Sequence, residues 1–323
     1  MIGKDANIFV AGHKGMVGSS IIRSLKLEGY TNIQTAERVN LDLLNQNEVN
    51  SFFSSNQIDY VIIAAAKVGG IYANNTFPAE FIYNNLMIEC NLIHAAHYND
   101  IHNLLFLGSS CIYPMNAKQP MKEEYLLGGL LEPTNEPYAI AKIAGIKLCE
   151  SYNRQYGRSY LSLMPTNLYG PNDNFNLETS HVLPALIRRF HEATQNNKAS
   201  VVVWGTGSPL REFLHVYDLA SACVFIMEKS IDEIMKFISS RCSHINIGQG
   251  TDISIRNLAL LISQIIGFKG EIKFDISKPD GPLRKLLDVN IINQLGWSSS
   301  IDLEEGIGNT YNWYKSNQIT IRR

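Results

Sequence analysis

Short apolar runs rich in β-branched residues alternate with longer segments of helical periodicity through the first half of the chain. The apolar runs predict strands at 6–10, 33–36, 60–65, 103–107 and 160–165. The segments between them predict helices at 17–28, 47–54, 79–98 and 137–156. Strands without polar interruptions are typical of a parallel sheet that is covered by helices on both faces. The pattern therefore predicts an α/β fold with a doubly wound parallel sheet of the Rossmann type.

After Pro165 the alternation of apolar runs and helical segments becomes less regular. Residues 181–192 predict a helix and residues 201–204 a strand, whereas 172–180 and 278–282 are loop-like. We expect a smaller α/β substrate-binding domain here, interleaved in sequence with the first domain. The predicted cofactor domain comprises residues 1–166 and about 213–242, and the predicted substrate domain comprises about 167–212 and 243–323.

Composition narrows the class of protein. The chain has 323 residues, 45% of them apolar and 18% charged, which indicates a folded globular protein of about two domains. A net charge of −2 argues against nucleic-acid binding, which needs a strongly basic face. Neither a membrane-spanning run nor a signal segment is expected. Five cysteines without CxxC spacing predict free thiols in a reducing cytoplasm, with no disulfide framework and no metal site.

Three glycines, Gly12, Gly15 and Gly18, join the first predicted strand to the first predicted helix. Two of them would let the backbone turn tightly and approach a pyrophosphate, and the third would let the helix pack closely on the strand. The N-terminus of the helix would supply amide donors and a partial positive charge. Because the glycines stand between a strand and an amphipathic helix, we expect a dinucleotide site here.

Glu37 and Arg38 follow the second predicted strand, where the ribose of a bound adenosine would lie. A carboxylate would accept a hydrogen bond from the 2′-hydroxyl of NAD, whereas an arginine would pair with the 2′-phosphate of NADP. The nearby basic residues His13 and Lys14 favour NADP. The adenine is expected to be flanked by Asn40, Leu41, Asp42 and Leu43, with Asp42 accepting from its amino group.

A candidate catalytic set follows the fourth predicted strand. Tyr138 and Lys142 are spaced i,i+4 and share one face of a predicted helix. A nearby ammonium favours the phenolate and lowers the tyrosine pKa. Ser109 stands at the end of the strand about thirty residues upstream, where its hydroxyl could share a substrate carbonyl. Together with the glycine-rich turn, these three residues predict a reductase site.

Several segments resemble one known family. They read AGHKGMVG at 11–18, AAAKVGGI at 64–71, LGSSCIYP at 107–114 and EPYAIAK at 136–142. The segments NLYGP at 167–171, REFLHVYD at 211–218 and RKLLD at 284–288 are also similar to signatures of extended nucleotide-sugar enzymes. Over nearly its whole length the chain resembles the GDP-L-fucose synthases, a family of the extended short-chain dehydrogenases/reductases.

The resemblance implies a two-step reaction on GDP-4-keto-6-deoxy-D-mannose. The family inverts C3 and C5 of the sugar and then reduces the C4 ketone with NADPH, which gives GDP-L-fucose. Cys111 would be the base and His181 the acid of epimerisation. Ser109 and Tyr138 would hydrogen-bond the C4 oxygen, Tyr138 would donate its proton during reduction, and Lys142 would support Tyr138.

The resemblance also implies two sets of binding residues and a homodimer. NADP(H) would contact Gly12, His13, Lys14, Gly15, Met16, Val17, Gly18, Arg38, Asn40, Leu41, Asp42, Leu43, Leu107, Gly108, Ser109, Ser110, Lys142, Pro165, Thr166, Asn167, Leu168 and His181. The GDP-sugar would contact Arg189, Trp204, Arg211 and Asp280. The helices at 79–98 and 137–156 would form a four-helix bundle with a second copy, with Ile143, Ile146 and Leu148 suited to packing there.

Four other functions share part of this pattern. A GDP-mannose 4,6-dehydratase would need a carboxylate directly after the catalytic hydroxyl residue, where Ser110 and Cys111 stand instead. A nucleotide-sugar 4-epimerase would leave Cys111 and His181 without a role. A non-catalytic NADP-binding regulator would not need proton donors. An epimerase/reductase of the GDP-colitose type, which acts on a 3-deoxy sugar, would share nearly every motif and stays open.

Overall fold

The computed structural model describes residues 2–278 and 280–318, apart from the side chain of Ile71. Its strands are β1 (Ile8–Ala11), β2 (Ile33–Gln34), β3 (Tyr60–Ile63), β4 (Asn103–Leu107), β5 (Ser159–Pro165), β6 (Asn167–Tyr169), β7 (Ser200–Trp204), β8 (Leu210–Arg211), β9 (Phe213–His215), β10 (His244–Ile247), β11 (Ile253–Ser254), β12 (Glu271–Asp275) and β13 (Arg284–Lys285). The central sheet is parallel, with the order β10-β5-β4-β3-β1-β2.

The helices follow the strands in the alternating order predicted for the first half of the chain. They are α1 (Met16–Leu27), α2 (Gln46–Ser55), α3 (Ile71–Thr76), α4 (Pro78–Tyr98), α5 (Glu136–Tyr156), α6 (Val182–Gln195), α7 (Val216–Glu228), α8 (Ile231–Ile234), α9 (Ile255–Ile266), α10 (Asn290–Gln294) and α11 (Leu303–Ser316). Their ends have local causes. Asn45 caps α2 through its side chain, for example, and Gly157 ends α5 with a left-handed φ of 66°.

Two apolar layers enclose the central sheet. On one face, Ile21 of α1 and Leu219 of α7 pack against sheet residues such as Ile62. On the other face, residues of α2, α4 and α5 pack together, with Phe53 and Leu92 fully or almost fully buried. Every residue of β1 and β3 is buried, as expected for a parallel sheet with helices on both faces. The predicted fold class is confirmed.

A third apolar cluster forms a smaller lobe after β5. Helices α6, α9 and α11 pack there against β7, which pairs in parallel with β12. The sixth strand of the central sheet, His244–Ile247, pairs with β5 although it falls in the range assigned to the substrate domain. The predicted boundary after residue 242 is therefore too early. The strand follows α7, which already packs on the central sheet, and it therefore completes the same domain.

Individual predicted elements shift by one to three residues. The predicted strands 33–36 and 60–65 are shorter, at Ile33–Gln34 and Tyr60–Ile63. The described residues of the two predicted loops, 172–180 and 278–282, contain neither helix nor strand. Within the described part of the chain, no helix is both long and apolar enough to cross a bilayer.

Candidate active site

The glycine-rich turn is built so closely that side chains cannot replace two of its glycines. Gly12 has φ = +87°, and a Cβ atom there would lie 2.7 Å from the backbone nitrogen of Ala65. A Cβ atom on Gly18 would lie 2.2 Å from the carbonyl oxygen of Gly12. Gly15 caps α1, so the free amides of the first helical turn face the space above the turn. This cradle fits the pyrophosphate of a dinucleotide.

A cavity of about 550 Å³ lies beside β1 and β2, next to the cradle, where the adenosine is expected. Lys14 Nζ lies 2.5 Å from a carboxylate oxygen of Glu37, and this contact holds the pKa of Glu37 below its usual value. Arg38 pairs only loosely with Asp42, at 3.8 Å, and its side chain is 80% exposed. The Glu37 carboxylate is therefore already paired with Lys14, whereas the Arg38 guanidinium is free to bind a phosphate.

Most of the predicted adenosine residues line this cavity. Gly12, His13, Lys14, Arg38, Leu41, Asp42 and Leu43 contribute to its wall, whereas Asn40 does not. Asp42 Oδ1 accepts a hydrogen bond from the amide of Leu44. Sequence reasoning missed Asn84 and Ile88, which reach the cavity from α4. No local motif marks them, because only the packing of α4 against the sheet brings them there.

A second cavity of about 280 Å³ runs from the glycine-rich turn to Tyr138. The predicted cofactor residues that line it are Gly15, Met16, Val17, Leu107, Gly108, Ser109, Ser110, Lys142, Pro165, Thr166, Asn167, Leu168 and His181. Asp173 also lines it and was not predicted. Burial raises the pKa of Asp173 to about 7, and its Oδ2 has no partner within the described residues. The arrangement suits the nicotinamide half of a dinucleotide.

A third cavity of about 370 Å³ lies between the central sheet and the smaller lobe. It is lined by the other candidate residues: Cys111, Arg189, Trp204, Arg211 and Asp280. Ser109, Tyr138 and His181 line both this cavity and the second one. The two cavities also share Gly69, Ser110, Asn167, Leu168 and Ser180. A group bound in one cavity would therefore meet a group bound in the other along this common wall.

The Ser–Tyr–Lys set is assembled by β4 and α5. Ser109 caps a single helical turn at 110–112, and its Oγ accepts from the amide of Cys111 at 3.4 Å. Tyr138 stands in the first turn of α5 and Lys142 one turn later, with Nζ 5.9 Å from the centre of the tyrosine ring. Burial holds the pKa of Tyr138 well above its usual value, so the phenol is protonated at neutral pH. The lowering of this pKa that was expected from Lys142 is therefore not seen, because burial outweighs it.

Lys142 has a partner that the sequence did not indicate. Its ammonium lies 2.9 Å from a carboxylate oxygen of Glu89, which α4 contributes from the same side of the sheet. The two side chains are 1% and 0% exposed. Burial raises the pKa of Glu89, and the charge of Lys142 acts in the opposite direction. Glu89 lies on a predicted helix without a recognisable motif, so only the packing of α4 on α5 reveals the pair.

Cys111 and His181 lie on different elements beside the shared residues. Cys111 is 8% exposed, and its burial raises the thiol pKa, whereas Ser109 and the ammonium of Lys285 act to lower it. His181 precedes α6, with its side chain open to the cavities, and the surrounding protein lowers its pKa. The thiol is therefore protonated in this structure, because burial outweighs the hydrogen bond with Ser109 and the neighbouring cations.

The four predicted substrate residues come together at the far end of the third cavity. The Arg189 guanidinium lies 5.0 Å above the ring of Trp204, which is 56% exposed and therefore not a core residue. Arg211 Nη1 donates to the carbonyl oxygens of Leu210 and Pro282. Asp280 accepts from the amide and the hydroxyl of Thr206. These bonds hold two cations and a carboxylate around an aromatic surface.

The fold and this site define a member of the extended short-chain dehydrogenases/reductases. The model of the NAD dependent epimerase/dehydratase family matches residues 8–248, and the chain belongs to that family. Within it, the chain belongs to the GDP-L-fucose synthases. It is 60% identical over 315 residues to the GDP-L-fucose synthase of Escherichia coli strain K12, and the match covers 98% of each chain.

Two further comparisons extend this result. The chain is 37% identical over 308 residues to the GDP-L-colitose synthase of Yersinia pseudotuberculosis, covering 95% of this chain and 97% of that one. Its structure resembles a GDP-L-fucose synthetase from Naegleria fowleri bound to NADP, with a TM-score of 0.89, 28% identity, and 100% and 96% of the two chains covered. The predicted family, the enzyme class of an NADPH-dependent epimerase/reductase and the cofactor are confirmed.

Proposed function

We propose that this enzyme converts GDP-4-keto-6-deoxy-D-mannose to GDP-L-fucose by C3 and C5 epimerisation followed by reduction at C4. The observation that carries the proposal is that the second and third cavities share Ser109, Tyr138 and His181. The sugar would occupy the third cavity, with its C4 oxygen between Ser109 and Tyr138. Cys111 and His181 would then border the same sugar ring.

In the epimerisation, Cys111 takes the proton from the carbon next to the ketone. The electron pair moves into the C4 carbonyl, and Ser109 and Tyr138 hydrogen-bond the resulting enolate oxygen. His181 returns a proton to the opposite face of the carbon as the enolate collapses. Cys111 must be a thiolate for this step, and Lys285 and Lys142 are the cations that favour this state.

In the reduction, NADPH supplies the hydride when bound. Tyr138 donates its phenolic proton to the C4 oxygen and becomes a phenolate, which the ammonium of Lys142 stabilises. A proton from solvent then restores Tyr138. The raised pKa of Tyr138 supports this role, because the proton is present at neutral pH.

The nucleotide half of the substrate would lie toward the smaller lobe. Arg189 and Arg211 present guanidinium groups that suit diphosphate oxygens, Trp204 presents an aromatic surface, and Asp280 can accept from hydroxyls. We propose the smaller lobe as the domain that binds the GDP-sugar. Cys111 must keep a free thiol to act as the base, and a reducing compartment preserves free thiols. We therefore propose that the enzyme works in the cytoplasm.

We further propose a homodimer through α4 and α5. Two of the residues expected at that interface are corrected: Ile143 and Ile146 are 8% and 0% exposed and pack in the core of their own subunit. They face inward because they follow Ala139 and Lys142 on the sheet side of α5. The exposed apolar residues of these two helices include Tyr83 on α4 and Ile140 on α5, besides Tyr98 and Tyr156 at their C-terminal ends. Tyr83 and Ile140, together with the partly buried Ala144 and Leu148, suit a bundle formed with a second copy.

One experiment tests the reaction. The protein is incubated with NADPH and GDP-4-keto-6-deoxy-D-mannose in deuterated water, and the sugar product is identified. We expect NADPH oxidation and GDP-L-fucose labelled at C3 and C5. Absence of NADPH oxidation would refute the proposal, and turnover confined to the 3-deoxy sugar would favour the colitose reaction.

Two variants separate the steps. Cys111→Ala should abolish deuterium uptake while some reduction of a pre-epimerised substrate remains. Tyr138→Phe should retain uptake and lose hydride transfer. Unchanged exchange in Cys111→Ala would remove this thiol from the mechanism.

A further inference from the structure

The ion pair between Glu89 and Lys142 is buried beside the ring of Phe106. The Lys142 ammonium stands 4.6 Å from the centre of the Phe106 ring. Gly145 leaves room for the carboxylate, because a Cβ atom there would lie 2.8 Å from Glu89 Oε2 and 2.5 Å from the Phe106 ring. The site is thus shaped around a charged pair rather than around two apolar side chains.

A buried ion pair of this kind contributes little to stability, because its desolvation costs about as much as the attraction returns. Neither carboxylate oxygen of Glu89 receives a well-directed hydrogen bond from the described part of the chain, although Lys142 is 2.9 Å away. The ammonium has three N–H donors, so it can face Glu89 and still serve the second cavity, which it lines. Glu89 is therefore better suited to balancing the charge of Lys142 than to stabilising the fold.

We propose that Glu89 is a positioning residue of the reductase site, which acts through Lys142 to set the proton affinity of Tyr138. This inference rests on the proposed function, in which Tyr138 is the proton donor. The carboxylate and the ammonium together carry no net charge. Without Glu89, a lone buried cation would stand beside Tyr138 and would make proton loss from the tyrosine–lysine pair easier.

The groups that face Glu89 are few. From α5 these are Lys142, Tyr138 and Cys149, and from α4 its neighbour Cys90. Burial raises the pKa of both thiols, so they are uncharged near neutral pH. From β4 the uncharged ring of Phe106 approaches the ammonium. The charge on Glu89 is therefore balanced by Lys142 alone among these groups.

The test is the pH dependence of NADPH oxidation with GDP-4-keto-6-deoxy-D-mannose. Reduction needs protonated Tyr138, so the rate falls at high pH. This fall is the basic limb of the pH–rate profile. In Glu89→Gln we expect this basic limb to move to lower pH by about one unit, because a negative charge has been removed. Glu89→Asp keeps the charge and should retain the limb of the wild-type enzyme.

A matched control is available on α5. Glu150 is also buried and also pairs with a lysine, Lys147, at 2.8 Å, but neither residue lines the three cavities. Glu150→Gln should leave the pH profile unchanged even if it lowers thermal stability. A general effect of losing a buried carboxylate would shift both profiles and would overturn the assignment.

A basic limb in Glu89→Gln that matches that of the wild type would also overturn the inference. If this variant does not fold, Glu89→Met removes the same charge with an apolar side chain. If neither folds, ¹³C-carboxyl NMR of the wild type should show Glu89 sensing proton loss at the pH of the basic limb, and its absence there would count against the role. A wild-type enzyme that oxidises no NADPH would refute the proposed function instead, which distinguishes the two failures.

Discussion

The guanidinium of Arg189 lies over the ring of Trp204, with 5.0 Å between the guanidinium carbon and the ring centre. A donated bond from Arg189 Nη1 to the carbonyl oxygen of Val202 fixes the guanidinium beside the same strand. Burial lowers the pKa of Arg189, yet an arginine stays charged at any working pH. A cation is thus held on an aromatic surface at the far end of the third cavity, where a diphosphate would need it.

Replacing Trp204 should weaken substrate binding more than it slows the chemistry. Trp204→Ala removes the surface on which Arg189 rests, and a contact of this kind contributes about 1 kcal/mol. We expect KM for the GDP-sugar to rise about five- to tenfold with a smaller change in kcat. Steady-state kinetics with saturating NADPH measure both. Val202→Ala, on the same exposed face of β7, is the control and should leave KM unchanged.

The state of Cys111 gives a second prediction, with a defined sign. Burial raises the thiol pKa and the Lys285 ammonium lowers it. Removing that cation in Lys285→Met should raise the thiol pKa further, so the acidic limb of C3 and C5 exchange moves to higher pH by about one unit. Deuterium uptake measured by NMR across pH 6 to 9 follows this limb.

Lys285→Arg keeps the positive charge and should retain the limb of the wild type. If the methionine variant retained it as well, Lys285 would not influence the thiol.

The glycine-rich turn gives a third prediction. In Gly18→Ala the added methyl group would lie 2.2 Å from the carbonyl oxygen of Gly12, so the helix and the turn would be forced apart. We expect NADPH binding to weaken at least about tenfold and the melting temperature to fall, since overpacking costs roughly 1–3 kcal/mol. Fluorescence titration with NADPH and thermal unfolding measure the two effects.

Gly308 on α11 provides the comparison, because nothing lies within 4 Å of a Cβ atom there. Gly308→Ala should bind NADPH normally and be as stable as the wild type or more so. Normal binding by Gly18→Ala would contradict the close packing seen in the turn.

Sequence patterns predicted the sheet, the glycine-rich turn and the Tyr138–Lys142 pair, because each depends on local spacing. Ser109 was added to that pair because it stands at the end of a predicted strand. The roles of Cys111 and His181 came from family resemblance, since neither residue stands in a motif that demands chemistry. Glu89 and Asp173 could not be predicted, because one becomes a partner of Lys142 only when α4 packs on α5, and the other lines a cavity through an irregular loop. The protonation state of Cys111 also depends on burial, which the sequence does not specify.

The proposed dimer gives the last prediction. Ile140 is 41% exposed on α5, on the opposite side of the helix from the buried Lys142, and does not line the three cavities. A charge at this position would be buried without a partner in a bundle made with a second copy, at a cost of several kcal/mol at each of two symmetric positions. Ile140→Glu should therefore sediment as a monomer at micromolar concentration, where the wild type sediments as a dimer. Leu260→Glu, a substitution at a 46% exposed residue of α9, should remain dimeric. A wild-type monomer, or a dimer unaffected by Ile140→Glu, would place the interface elsewhere or remove it.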